Sequence, residues 1–235
     1  MRTRSGLVLL LCCLAQFMVI LDVAIVNVAL PTIQRDLHIP QDSVQWIVTA
    51  YGLMLGGFLL LGGRIADLWG RRRTLLCGLA VFTTASVLAG LAGSTGVLVA
   101  ARAVQGLGAA MIPPAALAIL AVTFAEGTQR NRALGVYGAT TGISASIGVL
   151  ASGLLTAGPG WRWIFFINAP VGAALIVLAV LLLPRQAPGP AVRQRFDLGG
   201  AVTATGGLLL LVYGVSRSST HGWLTAGTLG LLAGS

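Results

Sequence analysis

Two charged side chains interrupt apolar stretches of this sequence and offer its clearest chemistry. Asp22 lies within ILDVAIVNVALP, and Arg102 lies within AARAVQGLGAA. A carboxylate inside a membrane helix is costly, faces the bundle interior or water, and is a functional candidate by default. The chemistry open to it is ion pairing and reversible protonation. The alternative is a structural acid that only partners another polar group.

The two charges are predicted to lie at similar depths. The first helix runs outward to Leu30, which puts Asp22 about 12 Å below that end at ~1.5 Å per residue. The fourth runs inward from Gly96, which puts Arg102 about 9 Å below the same surface. Pairing would lessen both desolvation costs, and separating the pair would let Asp22 take up a proton. A snorkelling Arg102 is the alternative.

Two uncharged polar residues accompany the pair. Asn27 lies five residues after Asp22, and Gln105 lies one turn beyond Arg102. Asn27 either hydrogen-bonds between helices or has no such role. The small residues that follow Gln105 favour close helix packing. We include Asn27 and Gln105 in the candidate proton-coupling and substrate site.

A second candidate feature is the stretch 61–73, LGGRIADLWGRRR. Four arginines cannot lie together in hydrocarbon, so this is a tight turn between membrane helices, on the cytoplasmic side. Asp67 and Arg71 are one turn apart on any helix that continues here. The alternative is a turn that only fixes orientation. The motif residues are Gly63, Asp67, Gly70, Arg71, Arg72 and Arg73.

Composition places the chain in the membrane. Of its 235 residues, 56% are hydrophobic and only 9% are charged, against about 25% charged in soluble domains. The net charge of +9 comes from arginines between apolar runs. We therefore predict that these arginines set the membrane topology and do not bind nucleic acid. The three cysteines and two histidines form no metal or nucleophile pattern, and we predict no enzyme and no metal site.

The chain is predicted to be an all-α membrane protein with a major domain boundary near residue 184. The first apolar run continues too far for a signal peptide. Prolines interrupt residues 184–196, a predicted cytoplasmic Pro/Arg-rich loop. Residues 1–183 form a six-helix N-terminal domain whose two groups of three helices fit an inverted repeat. Residues 197–235 hold a seventh helix and an eighth that ends early. The apolar runs are 7–30, 45–63, 74–92, 96–123, 132–155, 162–183 and 197–215.

The arginines predict the orientation. Eleven lie on the side of the N-terminus and three on the other side, which makes the N-terminus cytoplasmic in a multi-pass protein. The fifth helix carries spaced small residues that favour tight packing. Its packing residues are Gly138, Gly142, Gly148, Ser152 and Gly153.

Four segments together resemble the major facilitator superfamily, and within it the fourteen-helix drug:proton antiporters (the EmrB/QacA-like group). They are GRIADLWGRRR (63–73), residues 98–110, LDVAIVNVALP (21–31) and WRWIFFINAP (161–170). The resemblance implies the superfamily's six-helix N-domain. One segment departs from it: GVLASG (148–153) lacks the proline and one glycine of the family's antiporter motif.

The resemblance implies export of amphipathic or cationic drugs through the cell membrane in exchange for protons. It implies no cofactor beyond the proton gradient. It assigns conformational locking to Asp67 and Arg71 and proton coupling to Asp22 and Arg102. A cationic drug competing with the proton for Asp22 would give antiport.

The chain is expected to be an N-terminal half, whose partners would be the lipid bilayer and either the missing C-terminal half or a second copy. One alternative is a non-transporting product of a truncated gene. The other is a half-transporter that must dimerise.

Overall fold

A computed structural model describes residues 2–184 and four further helical positions, Thr203, Gly206, Gly207 and Leu210. Residues 2–184 form helices without any strand. The helices are α1 (Arg2–Asp36), α2 (Gln41–Val44), α3 (Trp46–Trp69), α4 (Arg71–Gly90), α5 (Thr95–Thr123), α6 (Thr128–Ala157), α7 (Trp163–Phe166) and α8 (Asn168–Leu182).

Six described segments are long and apolar enough to cross a membrane. They are α1, α3, α4, α5, α6 and the combined segment α7–α8, here called spans 1 to 6. They correspond to the first six predicted apolar runs, and the predicted six-helix membrane fold is confirmed. Residues 185–196 of the predicted loop, and the seventh and eighth helices apart from the four positions above, lie outside the described residues.

The first span is longer than its sequence predicts. The sequence predicts that the first helix ends at Leu30, before Pro31, but α1 continues through Pro31 to Asp36. Proline lacks an amide hydrogen and so removes a single backbone bond, to the carbonyl four residues earlier. Membrane helices tolerate such an interruption, and the prediction of a helix end at Pro31 was therefore wrong.

The spans pack in a pattern with internal symmetry. Span 2 packs on span 4 and span 1 on span 5, while span 3 contacts span 4 and span 1 contacts span 6. Spans 1 and 4 also touch, as do spans 3 and 6. Exchanging spans 1, 2 and 3 for spans 4, 5 and 6 leaves this set of contacts unchanged. Two three-helix units related by a pseudo-twofold axis produce such a pattern, as in an inverted repeat.

Glycines of α5 and α3 allow the closest helix approach. A Cβ added at Gly106 would lie 2.5 Å from the carbonyl oxygen of Tyr51. A Cβ added at Gly62 would overlap the carbonyl oxygen of Ala110. Small residues at membrane helix interfaces let backbones approach in this way. At Gly63, a residue of the 61–73 motif, a Cβ would make only an ordinary contact with Pro114 at 3.7 Å.

Gly106→Ala is expected to destabilise the bundle, because its methyl group would press on the α3 backbone. Overpacking typically costs about 1–3 kcal/mol. Gly52→Ala is the matched control, since a Cβ at Gly52 has no neighbour within 4 Å among the described residues. Thermal unfolding in detergent should lower the Tm of Gly106→Ala only. Equal Tm values for the two variants would contradict this close approach.

One end of the bundle collects arginines from separate segments. Arg4 Nη2 donates to the carbonyl of Leu182 at 3.3 Å. Arg72 Nη2 donates to the carbonyl of Val180 at 3.2 Å. The start of α1, the start of α4 and the end of α8 therefore lie at the same end.

The opposite end is tied together around Asp36. Trp161 Nε1 and Arg162 Nη1 donate to Asp36 Oδ2 at 2.8 and 2.9 Å. Arg162 Nη2 also donates to the carbonyl of Ala92 at 3.2 Å. The end of span 1 is thereby joined to the segment before span 6 and to the loop after span 3.

Candidate functional site

The centre of the bundle holds a buried ion pair. Arg102 Nη1 of α5 lies 2.5 Å from Asp22 Oδ2 of α1. Asp22 has 0% and Arg102 1% of its surface exposed. Arg102 is therefore not snorkelling, and the structure brings together the two charges predicted to share one depth.

Two amides complete the shell around the carboxylate. Gln105 Nε2 donates to Asp22 Oδ1 at 2.9 Å. Asn168 Nδ2, from the start of α8, donates to the same oxygen at 3.2 Å. All these contacts donate hydrogen to the carboxylate, so both of its oxygens act as acceptors.

Arg102 is held as firmly as its partner. Its Nε donates to the carbonyl of Ile47 at 3.3 Å, and its Nη1 donates to Gln105 Oε1 at 2.7 Å. Its guanidinium carbon lies 4.1 Å from the ring centroid of Tyr51 and 5.9 Å from that of Phe165. Stacking on aromatic rings and several directed hydrogen bonds suit a guanidinium better than an ammonium.

The local sequence explains how these side chains are positioned. Gly106 lets α5 approach α3 closely, which sets Tyr51 and Ile47 beside Arg102. In span 6, Pro170 cannot donate an amide hydrogen to the carbonyl of Phe166. The helix is interrupted there, between α7 and α8, and Asn168 follows the interruption.

Asn27 lies apart from this network. Its side chain is exposed, and Nδ2 donates to the carbonyl of Val23 in its own helix at 2.8 Å. The structure therefore gives Asn27 a bond within α1, whereas the sequence allowed a bond between helices. Of the four predicted site residues, the described contacts bring together Asp22, Arg102 and Gln105.

The turn within residues 61–73, here called the glycine turn, has a different geometry from the one expected. The helix ends at Trp69, and Gly70 adopts φ 98° before α4 begins, a conformation that favours glycine. Asp67 and Arg71 therefore lie on separate helices, and their predicted placement one turn apart on a single helix was wrong. Asp67 is exposed and has no hydrogen bond or ion pair within the described residues.

The packing residues predicted for the fifth membrane helix, which is α6, divide into two groups. Ser152 Oγ donates to the carbonyl of Ile25 at 2.7 Å, and a Cβ at Gly148 would lie 2.7 Å from the Cβ of Ala24. These two residues pack α6 on α1. Within the described part of the chain, a Cβ would meet no neighbour at the other three positions, Gly138, Gly142 and Gly153.

The sequence did not identify three residues of the buried network: Asn168, Ser86 and Tyr51. Asn168 stands out as an amide in an apolar span, within WRWIFFINAP. Ser86 and Tyr51 carry no such signal, because hydroxyl groups are common in these helices. Among the described residues, no group of three ligating side chains could hold a metal ion.

The fold and the buried charges define a polytopic membrane protein with an ion pair in its interior. The family model for the Major Facilitator Superfamily matches residues 12–234. The chain belongs to this superfamily.

Curated relatives with known names support that placement. The chain is 48% identical over 219 residues to a puromycin resistance protein of Streptomyces alboniger, covering 93% of this chain and 42% of that protein. It is 44% identical over 233 residues to a cephamycin export protein of Amycolatopsis lactamdurans, covering 96% and 48%. A tetracenomycin C resistance and export protein of Streptomyces glaucescens is 39% identical, covering 99% and 43%.

A solved structure has the same fold. A peptide transporter in complex with sulfate aligns with a TM-score of 0.69 at 17% identity, covering 94% of this chain and 48% of that chain. At this identity the likeness concerns the fold alone. The chain spans less than half the length of these curated relatives.

Proposed function

We propose that this chain forms the N-terminal half of a cell-membrane drug exporter. The exporter exchanges its cargo for protons, and the protons bind at Asp22. The observation that carries this proposal is the buried Asp22 carboxylate, closed within a shell of hydrogen-bond donors. Intramembrane acids in transporters mark ion pathways and proton relays. The names of the relatives, which concern antibiotic resistance and export, support the cargo class.

The coupling works through movement of helices. In the described arrangement Arg102 balances the charge of Asp22. A conformation that moves α5 away from α1 leaves the carboxylate desolvated and unpaired, so that it takes up a proton. Re-forming the pair expels that proton.

The burial of Asp22 changes the expected role of the cargo. The sequence suggested that a cationic drug competes with the proton at this carboxylate. Asp22 is 0% exposed even though no second half covers the described residues, so cargo outside the bundle cannot touch it in this conformation. The cargo therefore acts on Asp22 through the helices, and amphipathic shape matters more than direct ion pairing.

The glycine turn is proposed to lock one conformation. Asp67 is exposed near the end of α3, a few residues before the arginines that begin α4, and a second half can contact it there. Asp22, Arg102 and Gln105 belong to proton coupling in this scheme, while Gly70 sets the turn between α3 and α4.

A flux assay tests the proposal. Inside-out vesicles carrying the full reading frame that contains these residues should accumulate a fluorescent amphipathic cation when their interior is acidic. Dissipating the pH gradient should stop accumulation. Uptake that is the same with and without the pH gradient would contradict proton antiport. The 235 residues expressed alone should insert without conferring efflux, and proton-driven efflux by the purified chain would instead favour a dimer of half-transporters.

Orientation gives a separate prediction. In a variant with alanine at Cys12, Cys13 and Cys77, Arg73→Cys should react with an impermeant thiol reagent only after the cells are opened. Gly93→Cys should react in intact cells, because Gly93 is exposed in the loop between α4 and α5, at the opposite end of α4 from Arg73. The excess of arginines on the cytoplasmic side is the reason. The reverse labelling pattern would contradict a cytoplasmic N-terminus.

A further inference from the structure

Asn168 joins the Asp22 carboxylate to a chain of hydrogen bonds. Its Nδ2 lies 3.2 Å from Asp22 Oδ1 and 2.9 Å from Ser86 Oγ. Ser86 Oγ in turn donates to the carbonyl of Phe165 at 2.9 Å. Asn168 is 1% and Ser86 0% exposed. This series of hydrogen bonds therefore runs through the bundle interior from α1, by way of α8 and α4, to α7.

This network fits only the charged carboxylate. Arg102, Gln105 and Asn168 all direct donors at Asp22. A proton on Asp22 adds a donor, and a buried donor without an acceptor is destabilising. We place the proton on Oδ1, the oxygen that Asn168 of α8 contacts.

One of the two amides at Oδ1 is free to provide the acceptor. Gln105 lies on α5 with Arg102 and leaves with it when α5 moves away from α1. Asn168 lies on α8 and remains beside Oδ1. An amide has nearly the same shape after a half-turn, which exchanges its donor and acceptor ends.

We propose that Asn168 is a positioning residue that senses the proton on Asp22 by turning its amide, an inference that rests on the proposed function. One proton from water forms the O–H bond at Asp22 Oδ1, and no other covalent bond changes. Asn168 Oδ1 then accepts from that hydroxyl. The Ser86 hydroxyl turns to donate to the same oxygen and releases the carbonyl of Phe165.

The released carbonyl lies where the sixth span is already interrupted. Phe165 belongs to α7, and its ring lies 5.9 Å from the Arg102 guanidinium carbon. Protonation of Asp22 thereby changes the hydrogen bonding of α7, which packs beside the ion pair. The charged or titratable groups that face Asp22 among the described residues are Arg102 of α5 and Tyr51 of α3. The described contacts from α4 and α8 are uncharged.

The test follows efflux against pH in the full reading frame, together with the infrared carboxyl band of protonated Asp22. Asn168→Leu keeps a side chain that branches at Cγ but neither donates nor accepts. Asp22 should still take up a proton in this variant, while proton-driven efflux falls about tenfold and loses its pH dependence. Asn168→Thr, whose hydroxyl serves both states, should recover part of the efflux.

Two serines provide a matched pair. Ser86→Ala should reduce the pH dependence, because its hydroxyl belongs to the chain of bonds. Ser152 is equally buried and also donates to a backbone carbonyl of another helix, but it has no described bond to Asn168. Ser152→Ala should keep the pH dependence of the parent.

Three outcomes would overturn the inference. Asn168→Leu could keep the parental profile, or shift it without loss of amplitude, as expected for a fixed donor. Ser86→Ala could match Ser152→Ala, and this comparison decides the matter if Asn168→Leu does not accumulate. Proton-driven efflux that survives Asp22→Asn contradicts the proposed function instead.

Discussion

Asp22→Asn is expected to abolish proton-driven drug efflux by the full reading frame that contains this chain. Asparagine preserves the size of the side chain but cannot exchange a proton near neutral pH. The substitution also leaves Arg102, only 1% exposed, without its counter-charge. Breaking a buried ion pair on one side typically costs about 3–5 kcal/mol of stability, so the amount of folded protein must be measured beside the efflux.

A double variant separates the two effects. Asp22→Asn combined with Arg102→Met removes both charges, and folded protein should recover while efflux stays absent. Asp36→Asn is the control, because Asp36 also pairs with an arginine, Arg162, but is half-exposed at the end of α1. Exposed pairs contribute little, so this variant should transport normally. Full pH-driven efflux in Asp22→Asn would make the carboxylate a structural group.

Arg102→Ala is expected to be the most destabilising substitution of a single described side chain. It leaves the Asp22 charge buried with only the two amide donors, at a typical cost of about 3–5 kcal/mol. Thermal unfolding of the purified protein measures this loss as a fall in Tm.

Arg102→Lys should recover only part of that stability. A lysine replaces the charge but not the separate Nε and Nη1 bonds or the stacking on Tyr51. Arg162→Ala is the matched control, since it removes an arginine from the exposed pair with Asp36. A loss of Tm in Arg162→Ala as large as that in Arg102→Ala would mean that burial does not set the cost.

The sequence was sufficient to pair Asp22 with Arg102, for a physical reason. Apolar run lengths locate the span ends, and a fixed rise per residue then gives each charge a depth. Few partners are available to a charge in hydrocarbon, so equal depth nearly determines the contact. Gln105 could be added to the predicted site because it lies one turn from Arg102 on the same helix.

The remaining contacts depend on helix rotation and packing, which depth does not determine. Asn168 and Ser86 meet Asp22 only because α8 and α4 pack with particular faces inward. Asp67 and Arg71 were misplaced because Gly70 turns the backbone through a positive φ. The end of α1 was misplaced because tertiary packing outweighs the loss of one hydrogen bond at Pro31.

The complete burial of Asp22 has a consequence for energetics. Under the proposed antiport, a proton site inside the bundle, which the cargo does not occupy, would carry one proton per cycle whatever the charge of the drug. Export of a singly charged cation would then be electrically silent, whereas export of a neutral drug would move one positive charge inward. The membrane potential, worth about 2.3 kcal/mol per charge at 100 mV, should therefore drive neutral cargo and leave monovalent cations unaffected.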